Sequence, residues 1–209
     1  MRCGMAYLMT HSLLSSWLYA MKSSPYEDAT TERDAYEEFL QVLRREPTPT
    51  TEAMQKGIDF EDLVTAIAED DADGMLEHPK WFDAAAQVAA IVGGGEPQYR
   101  AKKKITVAGM EFVLYGRLDW LKAGVVYDIK FSGSYEKGKY IDSTQHPVYL
   151  ETVPEAHSFV YLVSNGTNVW QETYRRDETA DIKPMIADFI AWLTVNGLLA
   201  LYKKHWEAL

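Results

Sequence analysis

The spacing of apolar residues changes near residue 97, from a helical period to the alternation that is typical of strands. Before that point apolar positions recur at three- and four-residue intervals, which indicates amphipathic helices. We predict four helices in this part of the chain: 12–21 with Thr10 or Ser12 as its cap, 32–44, a third from Thr50 or Thr51 to Ala68, and 79–91 before three glycines.

Beyond residue 97, segments rich in Val, Ile, Tyr and Phe alternate with turn residues, which favours β-strands. We predict three strands at 98–107, 111–121 and 125–131, followed by a helical stretch at 135–153 with a break near Asp142. A hairpin of strands at 158–163 and 168–174 and a last helix over about 184–206 complete the chain. This order predicts a single α/β domain over 1–209, with a central mixed β-sheet flanked by helices. Residues 1–96 would be its mainly helical part, and 97–209 its sheet core and C-terminal helix.

The composition narrows the class of protein. The chain has 209 residues, of which 47% are hydrophobic and 25% charged, as is typical of globular proteins. The single cysteine excludes an internal disulfide and a four-cysteine iron–sulfur cluster. The sequence shows neither a signal peptide nor an apolar run of about 20 residues, so we expect a cytoplasmic protein with no membrane contact.

Two predicted strands bring acidic residues toward one place. Asp119 lies near the end of one strand and Asp128 in the next, and the turn at Ala123 and Gly124 would fold Asp119 back beside Asp128. Lys130 shares a face with Asp128, because alternate residues of a strand point to the same side. Carboxylate oxygens suit Mg²⁺ or Mn²⁺, and a neighbouring lysine could hold or deprotonate a metal-bound water. The pattern therefore predicts metal-assisted hydrolysis of a phosphodiester.

A simpler interpretation makes these residues a solvent-facing ion pair. Asp-x-Lys triplets are common, and the triplet alone favours that interpretation. The strand is, however, apolar on both faces, through Val125, Val126, Tyr127, Ile129 and Phe131. Such a strand is buried, and a buried charge needs a partner or a metal.

Four short motifs follow one another on the predicted elements: G-x-x-x-E at Gly57 and Glu61, G-x-x-D at Gly116 and Asp119, D-x-K at Asp128 and Lys130, and Q-x-x-x-Y at Gln145 and Tyr149. In this order they resemble the PD-(D/E)XK nuclease superfamily, in particular its RecB-like and lambda-exonuclease-like branch. The Ser-rich stretch 10–19 is similar to the first helix of that branch. The resemblance covers about residues 10–150 and implies a restriction-endonuclease-like core.

The resemblance implies a metal site on the two strands. Asp119 and Asp128 would bind Mg²⁺, for which Mn²⁺ could substitute, and the backbone carbonyl of Ile129 would be a further ligand. Lys130 would position the attacking water. Cysteine-bearing members of the branch carry an iron–sulfur cluster, which this chain cannot hold.

The helical motifs imply supporting roles. Glu61 would reach a metal-bound water or a second metal, although it could also be a solvated helix residue. Gln145 and Tyr149, one turn apart on one helix face, would orient Lys130 or the DNA backbone, although Tyr149 could be a plain core residue. Some members of the branch use an upstream histidine as a metal ligand; neither His11 nor His78 has a context that suggests this, so the predicted ligands are carboxylates.

The distribution of charge matters more than its sum. A net charge of −10 argues against a nucleic-acid partner. Residues 100–139, however, hold nine basic and four acidic side chains and are therefore +5, which leaves −15 for the rest of the chain. The residues expected to grip DNA phosphates are Arg117, Lys137, Lys139, Lys102 and Lys104. For Lys102 and Lys104, protection of an exposed edge strand is an equal alternative.

The expected function is a Mg²⁺-dependent exonuclease on the ends of double-stranded DNA. The resemblance implies a place in phage or prophage recombination, with a single-strand annealing protein as partner. Two alternatives stay open: an endonuclease on the same core, and a non-catalytic DNA-binding or scaffold protein on a degenerate nuclease fold. Similar exonucleases form rings of three or four copies, and Trp192, Tyr202 and Trp206 could serve such an interface or pack on the sheet.

Overall fold

The computed structural model describes residues 5–22, 35–71, 73 and 78–208. Its centre is a sheet of six strands: β1 (Ala6–Met9), β2 (Glu96–Val107), β3 (Met110–Lys122), β4 (Val125–Phe131), β5 (Ser158–Ser164) and β6 (Val169–Arg175). The order is β1-β3-β4-β5-β6, and β2 also pairs with β3. The β1–β3 and β4–β5 pairs are parallel and the others antiparallel, so the predicted mixed sheet is confirmed.

The described residues also form seven α-helices: α1 (His11–Lys22), α2 (Ala35–Leu43), α3 (Glu52–Ala68), α4 (Phe82–Val92), α5 (Gln145–Thr152), α6 (Lys183–Val195) and α7 (Leu199–His205). Short 3-10 turns lie at Pro79–Trp81 and Arg176–Glu178. The cap of α3 is Thr51, whose hydroxyl accepts a hydrogen bond from the Met54 N–H at 3.2 Å. The predicted helix at 32–44 is seen from Ala35 onward, and 32–34 lie outside the described residues.

Different helices cover the two faces of the sheet. Helices α1, α2, α5, α6 and α7 pack on one face, in a core that includes Leu14, Phe39 and Phe189. Helices α3 and α4 pack on the other face, around Phe60 and Val88. All of β5 is buried, as expected of a central strand that is covered on both sides.

A gap opens in the sheet beside β3. Its ladder with β4 joins only residues 120–122 to 125–127, and its ladder with β1 joins only 111–114 to 6–9. Because β2 occupies the other edge of β3, residues 115–119 face an opening between β1 and β4. The motif residues of β3 and β4 lie at this opening.

The prediction of helix over 135–144 is wrong. These residues form a loop of successive turns, and α5 begins only at Gln145. Gly138 has a φ of +89°, which breaks a right-handed helix. The amides of Gly138 and Tyr140 donate to the side chain of Glu172 instead of to helical carbonyls. We call residues 132–144 the β4–α5 loop.

Two other predictions need correction. The last helix, predicted as one, is two: α6 and α7 meet at a bend of 115°, where Gly197 has a φ of +70°. Among the described residues, no single helix has the length and apolar character to cross a bilayer; α6 and α7 pass that test only when joined. Strand β1 was not predicted, because its partner β3 lies about 100 residues later in the chain.

The aromatic residues at the end of the chain pack inside the fold. Tyr202 and Trp206 are buried, so they agree with the core alternative rather than with an exposed interface. Trp192 is partly buried against Trp17 and Phe39. The same region holds β1, because the Tyr202 hydroxyl donates to the Leu8 carbonyl at 2.7 Å, and the Leu8 N–H donates to the Trp206 carbonyl.

Candidate active site

The opening beside β3 brings the two predicted carboxylates and the lysine together. Asp119 projects from β3, and its Oδ2 accepts a hydrogen bond from the Ile129 N–H of β4 at 2.7 Å. On β4, the Asp128 Oδ2 lies 2.7 Å from the Lys130 Nζ. The Asp119 carboxylate therefore replaces the main-chain carbonyl that would accept this hydrogen bond if β3 and β4 were still paired.

Asp128 is a buried carboxylate, with 2% of its surface exposed, so the solvent-facing interpretation is wrong for it. Gln145, the first residue of α5, donates from its Nε2 to the Asp128 Oδ1. Apart from the ion pair with Lys130, no hydrogen bond of good geometry reaches Oδ2 from the residues that the structure describes. The Lys130 side chain is 33% exposed, so solvent or a ligand can reach the ion pair from the lysine side.

Tyr149 forms a wall of the site. It lies one turn after Gln145 on the same side of α5, it is buried, and its hydroxyl donates to the Arg117 carbonyl at 3.1 Å. Its ring covers Gly116, where an added Cβ would overlap the ring. The glycine of the G-x-x-D motif is therefore required by the close approach of Tyr149 to β3.

Glu61 approaches the same opening from α3. Its Oε1 accepts a hydrogen bond from Gln98 of β2, and its charge interacts with those of Arg117 and Asp128. Gln98 has a left-handed φ of +52° and stands opposite Asp119 between the paired residues of β2 and β3. No pattern in the sequence marked Gln98, because its role depends on a contact with a different element.

The carboxylates crowd a region with little solvent. Burial, followed by the charges of Asp128 and Glu61, raises the pKa of Asp119 well above its ordinary value. Burial also raises the pKa of Asp128 and of Glu61, although Lys130 and Arg117 oppose the respective shifts. The negative charge gathered here is only partly balanced, and a further cation would relieve it.

His11, which the sequence did not favour as a metal ligand, lies at this site. Its ring meets that of Tyr149 edge-on, with 5.3 Å between the ring centroids. Burial and then the charge of Lys130 lower the pKa of His11 to about 4. It reaches the site because α1 follows directly on β1, the strand that the sequence did not reveal. His78 stacks on Trp81, outside this group.

One of the predicted DNA-binding residues, Arg117, lies at the opening, where its charge acts on Glu61, and two others lie on the loop that follows β4. Arg117 is exposed on β3, and its carbonyl accepts the hydrogen bond from Tyr149. Lys137 and Lys139 are exposed on the β4–α5 loop. The Lys139 Nζ donates to the Ser132 Oγ at 2.9 Å, so this side chain also ties the loop together.

Lys102 and Lys104 are exposed on β2, which pairs only with β3 among the described strands and is therefore an edge strand. The Lys102 Nζ lies 5.9 Å from the centroid of the Tyr115 ring. Lys103 points to the other face, where it pairs with Glu151 at 2.8 Å. The positions of Lys102 and Lys104 agree with both DNA binding and edge protection.

A second buried carboxylate, Glu172 of β6, holds the β4–α5 loop. It accepts hydrogen bonds from the hydroxyls of Tyr135 and Tyr174 and from the amides of Gly138 and Tyr140. Burial alone would raise the pKa of Glu172, but the bonds from Tyr174 and Tyr135 hold it below its ordinary value. No sequence pattern indicates this cluster, because the loop donors lie 32 to 37 residues before Glu172.

Across the described ranges, no three His, Cys, Asp or Glu side chains are grouped closely enough to hold a metal ion by themselves. Any metal at the opening would therefore need ligands of another kind, such as a main-chain carbonyl, water or substrate oxygens.

Comparison with known proteins gives no family. No family model matches the chain, and no curated protein is significantly similar to it. A solved structure described as "Crystal structure of SSO0001" is similar over 77% of this chain and 85% of its own, with 16% sequence identity and a TM-score of 0.41. A similarity of this degree carries no argument about family or function.

Proposed function

We propose that this protein is a Mg²⁺-dependent deoxyribonuclease with a restriction-endonuclease-like core of the PD-(D/E)XK type, acting as an exonuclease on double-stranded DNA ends in the cytoplasm. One observation carries the proposal. Asp128 is buried, paired with Lys130 and adjacent to Asp119 where two strands separate. Crowded carboxylates with raised pKa values are typical of catalytic and ligand-binding sites.

The donor set fits a hard divalent cation. Asp119 and Asp128 offer carboxylate oxygens, the Ile129 carbonyl belongs to the same strand segment, and Glu61 lies within electrostatic range of both carboxylates. Mg²⁺ usually binds one or two carboxylates and completes its shell with water and phosphate oxygens, so three clustered acidic side chains are not required. When bound, Mg²⁺ supplies a Lewis acid that polarises a phosphodiester and eases the deprotonation of water.

The chain's own residues then have distinct tasks. Lys130, held by Asp128 and open to solvent at one end, donates hydrogen bonds to the attacking water. Gln145 fixes the Asp128 carboxylate, and Tyr149 keeps α5 against β3. Glu61 accepts hydrogen bonds from water on the α3 side of the opening.

The test is digestion of an end-labelled linear duplex and of a closed circular duplex, each with Mg²⁺ and with EDTA. We expect the linear duplex to lose nucleotides only with Mg²⁺ and the circle to stay closed. Opening of the circle would support the endonuclease alternative. The variant Asp119→Asn should be inactive. The matched control is Glu111→Gln, which neutralises an exposed carboxylate at the other end of β3 and should keep full activity.

The scaffold alternative has one observation in its favour, the lack of a three-residue acidic or histidine cluster among the described residues. Titration calorimetry with Mn²⁺ separates it from the nuclease. A nuclease should bind Mn²⁺ and lose that binding in Asp128→Asn, whereas a scaffold should bind DNA without the metal.

The proposal extends to assembly and partners. A ring of three or four copies around the duplex, and a single-strand annealing protein that receives the product, are the expected associations. Because Tyr202 and Trp206 are buried, a ring would have to use other surfaces. Sedimentation velocity of the purified chain measures its oligomeric state.

A further inference from the structure

Tyr140, in the β4–α5 loop, lies near the candidate site but belongs to none of its motifs. Its ring stacks on that of Tyr161, with 4.3 Å between the centroids and 17° between the planes. Tyr161 is fully buried in β5. The Tyr140 ring therefore rests on a platform that the core holds in place.

A second contact fixes the same residue through its main chain. The Tyr140 N–H donates to the Glu172 Oε1 at 3.3 Å, while the Tyr135 hydroxyl and the Gly138 N–H donate to Oε2 at 2.7 and 3.2 Å. One buried carboxylate thus holds three points within six residues of the loop. This arrangement anchors a segment whose own main-chain hydrogen bonds are isolated turns, such as the bond from the Ile141 N–H to the Gly138 carbonyl at 3.1 Å.

The phenol of Tyr140 is left available at the site. The side chain is partly exposed, and its hydroxyl makes no hydrogen bond within the part of the chain that the structure describes. Tyr161, on which the Tyr140 ring stacks, is the register partner of Asp128 on the neighbouring strand, so the Tyr140 ring lies beside the strand segment that carries Asp128 and Lys130. The charges of Lys130 and Asp128 both act on the phenol, in opposite directions. The Lys139 Nζ lies 6.0 Å from the ring centroid. An unused donor in the neighbourhood of two lysines is well placed for an anionic ligand.

We propose that Tyr140 contacts the substrate, donating its hydroxyl hydrogen bond to a phosphate oxygen of the DNA strand that lies against Lys130, and that Glu172 is the positioning residue that holds Tyr140 there. This inference rests on the proposed nuclease function and deepens it. It assigns the β4–α5 loop to one wall of the substrate channel, opposite Glu61.

The experiment measures binding of a fluorescent DNA duplex by anisotropy, with Ca²⁺ in place of Mg²⁺ to limit cleavage. Tyr140→Phe removes one hydroxyl and keeps the ring on Tyr161. We expect its dissociation constant to rise about tenfold, as for loss of one hydrogen bond to a charged acceptor. The matched control is Tyr7→Phe, which also removes one hydroxyl. Tyr7 lies on β1 opposite Phe112, and Phe112 is about 24 Å from Asp119 along β3 at the usual rise of a strand. The DNA affinity of this variant should not change.

The role of Glu172 is tested in two further ways. Glu172→Gln should speed tryptic cleavage after Lys137 and Lys139, because the loop loses its anchor. It should also weaken DNA binding, and that effect should shrink in the Tyr140→Phe background, because the two residues act through one contact. A purely structural Glu172 would weaken binding equally in both backgrounds.

The outcomes separate this inference from the proposed function. If the wild-type chain cleaves and binds DNA while Tyr140→Phe binds it equally well, the substrate contact is wrong and the nuclease stands. If the wild-type chain neither binds nor cleaves DNA, both are overturned. Tryptic cleavage of Glu172→Gln at the wild-type rate would remove Glu172 from the proposal.

Discussion

Two buried carboxylates are held in opposite ways in this protein. Glu172 accepts hydrogen bonds from four donors, and its pKa is lowered. Asp128 has Gln145 and Lys130 as partners, lies beside Asp119, and its pKa is raised, chiefly by burial. The region around Glu172 favours the ionised form, and the region around Asp128 does not.

The difference distinguishes a carboxylate that stabilises the fold from one that awaits a ligand. Buried polar groups are normally satisfied by the protein itself, as Glu172 is. A carboxylate that is left short of donors and close to others of its kind costs stability in the absence of a cation. Substitutions in the two regions should therefore have effects of different kinds, chiefly on activity around Asp128 and chiefly on stability around Glu172.

Asp128→Asn should produce the largest effect, on activity. We expect Mg²⁺-dependent cleavage to fall by roughly 10³-fold or more, because a ligand worth several kcal/mol of transition-state stabilisation is lost. The free energy of unfolding should change by no more than about 1 kcal/mol, since Asn keeps the acceptor for Gln145, and Lys130 keeps the nearby charge of Asp119 and its exposure to solvent. Initial rates on a linear duplex and urea denaturation give the two values. Strong destabilisation would contradict the contrast.

Glu172→Gln should, in contrast, lower the stability of the fold. Replacing one acceptor oxygen by an NH₂ group leaves donors facing donors, which should lower the free energy of unfolding by about 2 kcal/mol. The loss should be complete above pH 4.5 and should vanish as the pH falls through the lowered folded-state pKa, because the wild-type carboxylate is then protonated too. Urea midpoints across this range measure it, with Glu111→Gln as the exposed control.

His146→Phe should remove part of the acid sensitivity near Glu172. The imidazole stacks on Tyr174 at 3.9 Å, and burial lowers the pKa of His146 from 6.5 to about 4 despite the nearby Glu172. Between pH 6.5 and about 4 the unfolded chain binds a proton that the folded chain does not, so wild-type stability falls as the pH falls. The variant should lose about 1 kcal/mol less than wild type between pH 6.5 and 5, by urea denaturation. The pKa of His11 is lowered in a similar way, and His11 contributes equally to the pH dependence of the wild-type protein and of the variant.

Gly57→Ala should have the smallest effect. It tests whether DNA contacts the α3 side of the opening near Asp128. Gly57 lies one turn before Glu61 on α3, and a Cβ there would meet nothing within 4 Å. The substitution should raise the free energy of unfolding by about 0.5–1 kcal/mol through helix propensity. If DNA passes over this face, affinity should fall by a few fold in the anisotropy assay. Stabilisation with unchanged affinity would show that the substrate does not use this side.

The sequence was most informative where structure depends on near neighbours. The two-residue spacing of Asp128 and Lys130 on a strand, and the four-residue spacing of Gln145 and Tyr149 on a helix, predicted which side chains share a face. The predicted strands and the mixed sheet followed from alternation and turn residues. Such relations need no knowledge of distant parts of the chain.

The sequence was least informative where a contact spans the fold. The β4–α5 loop resembles a helix in composition, but it is organised by Glu172, a residue on a later strand. His11 reaches the site only because β1 pairs with a strand far along the chain. Neither arrangement leaves a periodic signal in the sequence, so the positions of the β4–α5 loop and of His11 are evident only from the structure.

The pairing of β1 has a consequence for the order of folding. The hydrogen bond from Tyr202 to Leu8 joins residues 194 positions apart, and closing a loop of that length carries a large entropic cost. Contacts of such high sequence separation form slowly. We expect the Leu8 amide to gain protection from hydrogen exchange later in refolding than the Phe159 amide in the centre of the sheet. Since His11 follows β1 directly, the candidate site would be completed only after the sheet has assembled, and a partly folded chain would not expose a working site.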